Sequence, residues 1–93
     1  MKILAIEYEG KSSDQFKPYL KDEARAVWEL YKKNFIREIY FRKDNTSAVI
    51  MLECNSVGEA EKILTELPLV KEKLIYFEII PLIAYPGFER LFR

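Results

Sequence analysis

Residues 74 to 82, Leu-Ile-Tyr-Phe-Glu-Ile-Ile-Pro-Leu, constrain what this chain can fold into more than any other stretch. At a period of two they leave both faces of a strand largely apolar, with Leu74, Tyr76 and Ile80 on one side and Ile75, Phe77 and Ile79 on the other. A sheet of such strands needs cover on both sides. A 93-residue chain with material for two helices covers one of them. The second face is expected to meet another copy of the chain.

Association also suits the size. One domain over residues 1–93 is expected, and a chain this short buries only about 60–65% of its unfolded surface, so an interface adds useful burial. Fifteen basic and fifteen acidic side chains balance without a long single-sign block, which argues against a surface that tracks phosphates, so nucleic acid is not an expected partner. Cys54 is the only cysteine. No intrachain disulfide framework can form, and a free thiol suits a reducing compartment, so the cytoplasm is the expected location. The opening Met-Lys-Ile-Leu-Ala-Ile meets Glu7 and Glu9 too soon for a signal-peptide core or a span of about 20 residues. Neither export nor a membrane is expected.

The order along the chain reads strand, helix, strand, strand, helix, strand, tail. Strand one, Lys2 to Glu9, carries Ile3, Ala5 and Glu7 on one side and Leu4, Ile6 and Tyr8 on the other; Gly10 then opens a polar loop through Asp14. The first helix enters near Pro18, repeats apolar residues at Leu20, Ala24, Val27, Trp28 and Tyr31 as one buried stripe, and stops at Asn34. Ile36 to Arg42 and Ser47 to Cys54 read as two strands joined by a tight turn at Lys43-Asp44-Asn45-Thr46. Ser56 and Glu59 form a capping box at the start of the second helix, which buries Val57, Ala60, Ile63, Leu64 and Leu67 and ends at Pro68. This βαββαβ order is the ferredoxin-like α+β plan, a four-stranded antiparallel sheet with both helices on one face. With Val49 and Met51 opposite Ala48, Ile50 and Leu52 on a middle strand, a monomer would expose an unusually large apolar patch. Two sheets packed face to face, a dimeric α+β barrel, would remove it.

The last third of the chain resembles the muconolactone isomerase-like family of the dimeric α+β barrels. Leu67-Pro68-Leu69, Phe77 to Leu82 and Tyr85-Pro86 look like that family's ending, with Tyr85 where the family has histidine. Arg37 and Glu53 align with an arginine of the family's second strand and an acidic residue ending its third. The resemblance implies the barrel fold, a homodimer or a higher oligomer built on it, and isomerisation of a small unsaturated lactone acid by proton transfer.

The residues bound the chemistry independently. With no histidine in the chain, a His-ligated haem, a Ser-His-Asp or Cys-His nucleophile and a His-based zinc or iron site are excluded, and so is the His-Asp dyad of other barrel relatives. Gly10, Gly58 and Gly87 stand too far apart to cradle phosphates. No cofactor and no metal is expected. What remains is a set of ionisable groups on apolar strands: Glu7, Glu38, Glu53, Glu78 and Arg37. Arg37 could hold a substrate carboxylate while Glu53, its pKa raised by burial, shuttles a proton, provided the hairpin register puts both on one face. Alternatively the two form a cross-strand ion pair. Glu78 is a second candidate base, or a carboxylate hydrogen-bonded to tyrosine at an interface. Tyr85 could donate a hydrogen bond to a ligand or simply anchor the tail. Tyr76, Trp28 and Tyr31 are the remaining candidate ligand contacts, the last two lining a pocket between helix and sheet or else packing in the core.

The tail, residues 82–93, carries Phe88, Leu91 and Phe92 on one face if helical and is expected to exchange between subunits. Three functions stay open: a cofactor-independent isomerase acting on an unsaturated lactone or carboxylic acid, a non-catalytic barrel that binds an apolar metabolite or serves as an assembly subunit, and a cofactor-independent monooxygenase.

Overall fold

Alternating apolar residues form the centre of the sheet, as a period of two demands. The computed structural model describes residues 1–11 and 13–93; the polar loop expected between Gly10 and Asp14 falls partly on residue 12, outside the described residues. Four strands, β1 (Lys2–Glu9), β2 (Ile36–Phe41), β3 (Ala48–Glu53) and β4 (Ile75–Leu82), pair antiparallel in the order β2-β3-β1-β4. Helices α1 (Leu20–Lys32), α2 (Val57–Thr65) and the short α3 (Pro68–Lys71) complete the ferredoxin-like plan. Ile3 opposite Leu52 and Ala5 opposite Ile50 turn toward the helices and are buried with Ile36, Ala60, Leu64 and Leu67. Each fully buried Ile or Leu among them contributes about 1.5–3 kcal/mol.

The opposite face carries Leu4 beside Met51 and Ile80, and Ile6 beside Val49 and Glu78. Tyr8 and Tyr76 stack there with ring centroids 5.5 Å apart. Among the described residues no helix packs over this side. Leu74 does not belong to it: β4 begins at Ile75, and Leu74 is buried with Phe16, Leu69 and Ile75 because its amide closes the end of α3.

Helix ends follow local chemistry. Asn34 takes the left-handed conformation (φ 68°) one residue past the C-cap of α1; its amide bonds the Tyr31 carbonyl and that of Phe35 reaches back to Leu30. This is a Schellman stop. Ser56 caps α2 by accepting the Glu59 amide at 3.1 Å, but the Glu59 carboxylate reaches the amide of Asn55 instead of that of Ser56, so the box is closed one residue further out. Pro68 does more than end α2, which stops at Thr65. It sits at the first position of α3, where its missing N–H costs nothing. The turn after β2 places Thr46 at φ 58°, with Asn45 Oδ1 accepting the Ser47 amide.

The expected stripe of α1 is the principal departure. Leu20, Ala24, Trp28 and Tyr31 are exposed, Val27 is half-buried, and no residue of α1 is fully buried. Ala26, Val27 and Leu30 are the α1 residues that pack against the core, so the helix meets the sheet along a different line from the expected stripe and leaves a gap beside it. Past Tyr85 the chain forms one 3-10 segment, Gly87–Phe92, whose Phe88, Leu91 and Phe92 are exposed, Phe92 by 85%.

Candidate functional site

The gap under α1 is a cavity of about 770 Å³, within the range of small-molecule sites. Ala48, Ile50, Leu67 and Phe77 form apolar walls from the sheet and the α2–α3 junction, while Leu20, Val27, Trp28 and Tyr31 line it from the helix. Trp28 and Tyr31, three residues apart, stack at 5.7 Å and so present one flat aromatic surface. Trp28 is still 55% exposed, which marks it as part of the rim.

Two carboxylates enter this apolar space from different elements. Glu7 follows Ile3 and Ala5 on the helix side of β1, where the period of two directs it inward; it is 8% exposed. Its Oε1 accepts the Ala48 amide at 3.0 Å, taking a donor just beyond the last β1–β3 pair, Ile6 with Val49. Glu23 lies on α1 three residues after Leu20 and four before Val27, on the same stripe. It accepts the Leu69 amide at 2.9 Å, capping one of the donors left free at the start of α3. Burial pushes both groups above the ordinary carboxylate range: the backbone amide each accepts opposes the shift without cancelling it, and the Glu7 charge raises Glu23 further. Among the described residues neither carboxylate makes a second protein hydrogen bond, and neither has a buried oxygen left without a partner. The second oxygen of each is therefore accessible, on a residue that lines the cavity. Glu9 lines the same space near the end of β1.

The sequence candidates divide between this cavity and other places. Trp28 and Tyr31 line it. Arg37, Glu53, Glu78, Tyr76 and Tyr85 do not. Glu53 is paired with the Met1 amine at 2.6 Å, which, with Arg37 adding a smaller effect, holds its carboxyl below the ordinary range. That is opposite to the direction expected from burial, because Glu53 sits near the sheet end beside cations instead of within an apolar wall. Arg37 falls at an irregularity of β2, since Ile36 pairs with Leu52 and Glu38 already with Met51. No Arg37–Glu53 ion pair forms among the described residues. Glu78 accepts a hydrogen bond from the Tyr8 hydroxyl at 3.1 Å on the uncovered face, where this contact raises the phenol's pKa. Tyr76 borders a smaller hollow of about 350 Å³ beside α2. Tyr85 packs its ring directly over Gly87 and edge-on to Phe88 at 5.1 Å, so it shapes the tail.

Glu7 was visible in the sequence as an acid on an apolar face, and Glu23 carried the same signal within the α1 stripe. What the pattern could not say is that the stripe surrounds a hollow. Among the described residues no group of three or more side chains is arranged to hold a metal ion, and no helix is long and apolar enough to cross a membrane.

No protein-family model matches the chain, and no curated protein matches it. Among solved structures it is similar to the crystal structure of muconolactone isomerase, at 15% identity, with 94% of this chain and 93% of the other covered and a TM-score of 0.74. The chain has the muconolactone isomerase-like fold, the ferredoxin-like α+β arrangement built above from its own residues.

Proposed function

We propose that this chain is a small-molecule enzyme of the lactone-isomerase type, with the cavity under α1 as its site and Glu7 and Glu23 as its acid–base pair. The observation that carries the reading is the pair itself: two carboxylates pushed up by burial, each anchored by one backbone amide and each belonging to a residue that lines one apolar space. The ionised member removes a proton from carbon next to a carbonyl while the protonated member donates a hydrogen bond to the carbonyl oxygen. The resulting dienolate regains the proton at a different carbon of the conjugated system, so the double bond moves and no electrons leave the substrate. No cofactor is required by this step.

Solvent-deuterium incorporation into a panel of unsaturated lactones and esters tests it. Exchange should fall roughly 10²–10⁴-fold in Glu7→Gln or Glu23→Gln. Unchanged exchange in both variants would remove these residues from the chemistry. A rival centre, Arg37 with Glu53 and Glu78 on the uncovered side, predicts instead that Glu53→Gln or Glu78→Gln abolishes exchange. The non-catalytic reading is favoured by one specific feature, that Glu7 and Glu23 both already serve a backbone amide; it predicts ligand binding with no exchange at all.

A homodimer or a higher oligomer, joined through the uncovered sheet face and the tail, belongs to the same proposal and is supported by the apolar residues Leu4, Met51 and Ile80 on that face.

A further inference from the structure

The cavity's charge selects its ligand. Glu7, Glu9 and Glu23 line it, and among the described residues that line it there is no lysine or arginine. A ligand carboxylate entering this space would lose its hydration and meet like charge, with no guanidinium or ammonium to hold it. Aromatic rings line it from both sides, Trp28 and Tyr31 on the helix and Phe41 and Phe77 on the sheet, with Phe16 from the segment before α1. Glu7 and Glu23 each spend one oxygen on a backbone amide, and burial favours the uncharged form of both carboxyls. A protonated carboxyl donates to a carbonyl oxygen and a carboxylate accepts from an acidic C–H, so this apolar, cation-free lining suits a neutral carbonyl compound.

Resting on the cavity as the site, we infer that its substrate is an uncharged, largely apolar carbonyl compound bearing no carboxylate, discriminated by Glu7 and Glu23. The lactone acid implied by the family resemblance is thereby a poor fit, and a neutral enone, ester or lactone of similar size is the fitting class.

Trp28 is the only tryptophan in the chain and lines the cavity, so its fluorescence reports occupancy directly. The full chain is titrated at pH 7.5 with three probes of one skeleton: methyl 4-acetylbenzoate, 4-acetylbenzoate and 4-acetylbenzylammonium. The neutral ester should bind at least about tenfold more tightly than the carboxylate and no more weakly than the ammonium, a tenfold step being about 1.4 kcal/mol. In the Glu7→Gln/Glu23→Gln variant, with folding checked by circular dichroism, the ester and carboxylate affinities should converge. Carboxylate binding equal to that of the ester in the wild type overturns the inference while leaving the cavity as the site. Tighter ammonium binding overturns neutrality in favour of a cationic class. Failure of all three probes overturns both the inference and the site. Ester binding with the expected preference, combined with no deuterium exchange on any substrate, supports the ligand class and removes the proton-shift reading alone.

Discussion

Glu7 and Glu23 show how one residue type takes opposite roles in a small fold. Glu53, beside the Met1 amine, is held below the ordinary carboxylate range, whereas Glu7 and Glu23 are pushed above it by burial. A carboxyl whose folded pKa is raised binds its proton more tightly folded than unfolded, so the stability it contributes is present at low pH. It is lost as the pH rises from the ordinary carboxylate range through the raised folded value. Glu7→Gln, whose amide oxygen can still accept the Ala48 N–H, lacks this loss. The difference in melting temperature, variant minus wild type, should therefore grow between pH 4 and pH 7.5; a difference that shrinks would contradict the burial argument. Lys73 offers a separate test. It sits at φ 59° just past α3, in the position a Schellman stop reserves for glycine, and Leu74 reaches back to the Leu69 carbonyl across it. Lys73→Gly should stabilise the fold by about 0.5–1 kcal/mol, the relief of a left-handed side chain less the added chain entropy, measurable by urea denaturation.

At the scale of elements, strand β1 was legible because alternation is strict and both its faces are apolar, and α1 was legible from its spacing. The extent of burial on α1 was not. An apolar stripe at helical spacing means that the face is turned away from bulk water, and both a packed core and a lined cavity satisfy that condition. The distance from α1 to the sheet depends on the residues it faces, and here small Ala48 and acidic Glu7 lie across from it. This predicts the effect of filling the gap: Ala24→Phe should abolish the Trp28 fluorescence response to the ester probe while the melting temperature stays level or rises. A variant that loses several degrees would mean that the gap collapses on a side chain and is not open space. Leu74 and Pro68 were misplaced by the sequence reading for a related reason. The short α3 turn redirects the chain between α2 and β4, and its four residues carry too little periodicity to be seen beforehand.

For the whole molecule, the uncovered face and the tail pose one question of association. Leu4, Met51 and Ile80 lie side by side across β3, β1 and β4, and Phe88, Leu91 and Phe92 stand exposed beyond. Ile80→Arg should convert a dimer, or a multiple of it, to monomer in native mass spectrometry with folding retained, since residue 80 points away from the helices. Deletion of residues 87–93 should weaken the oligomer in sedimentation; an unchanged assembly in both experiments would refute association through either surface.

The sequence by itself determined the order of the four strands and the two longer helices, which sides of the strands are apolar, and the absence of histidine chemistry, because each follows from local periodicity or composition. Only the tertiary structure decided which acids matter together. Glu7 and Glu23 are 16 positions apart by subtraction of their numbers and belong to different elements, and they meet one cavity only after β1 and α1 are packed across it. Arg37 and Glu53, by contrast, sit on neighbouring strands and form no ion pair, because one irregularity in β2 resets the register that a direct reading of the hairpin assumes.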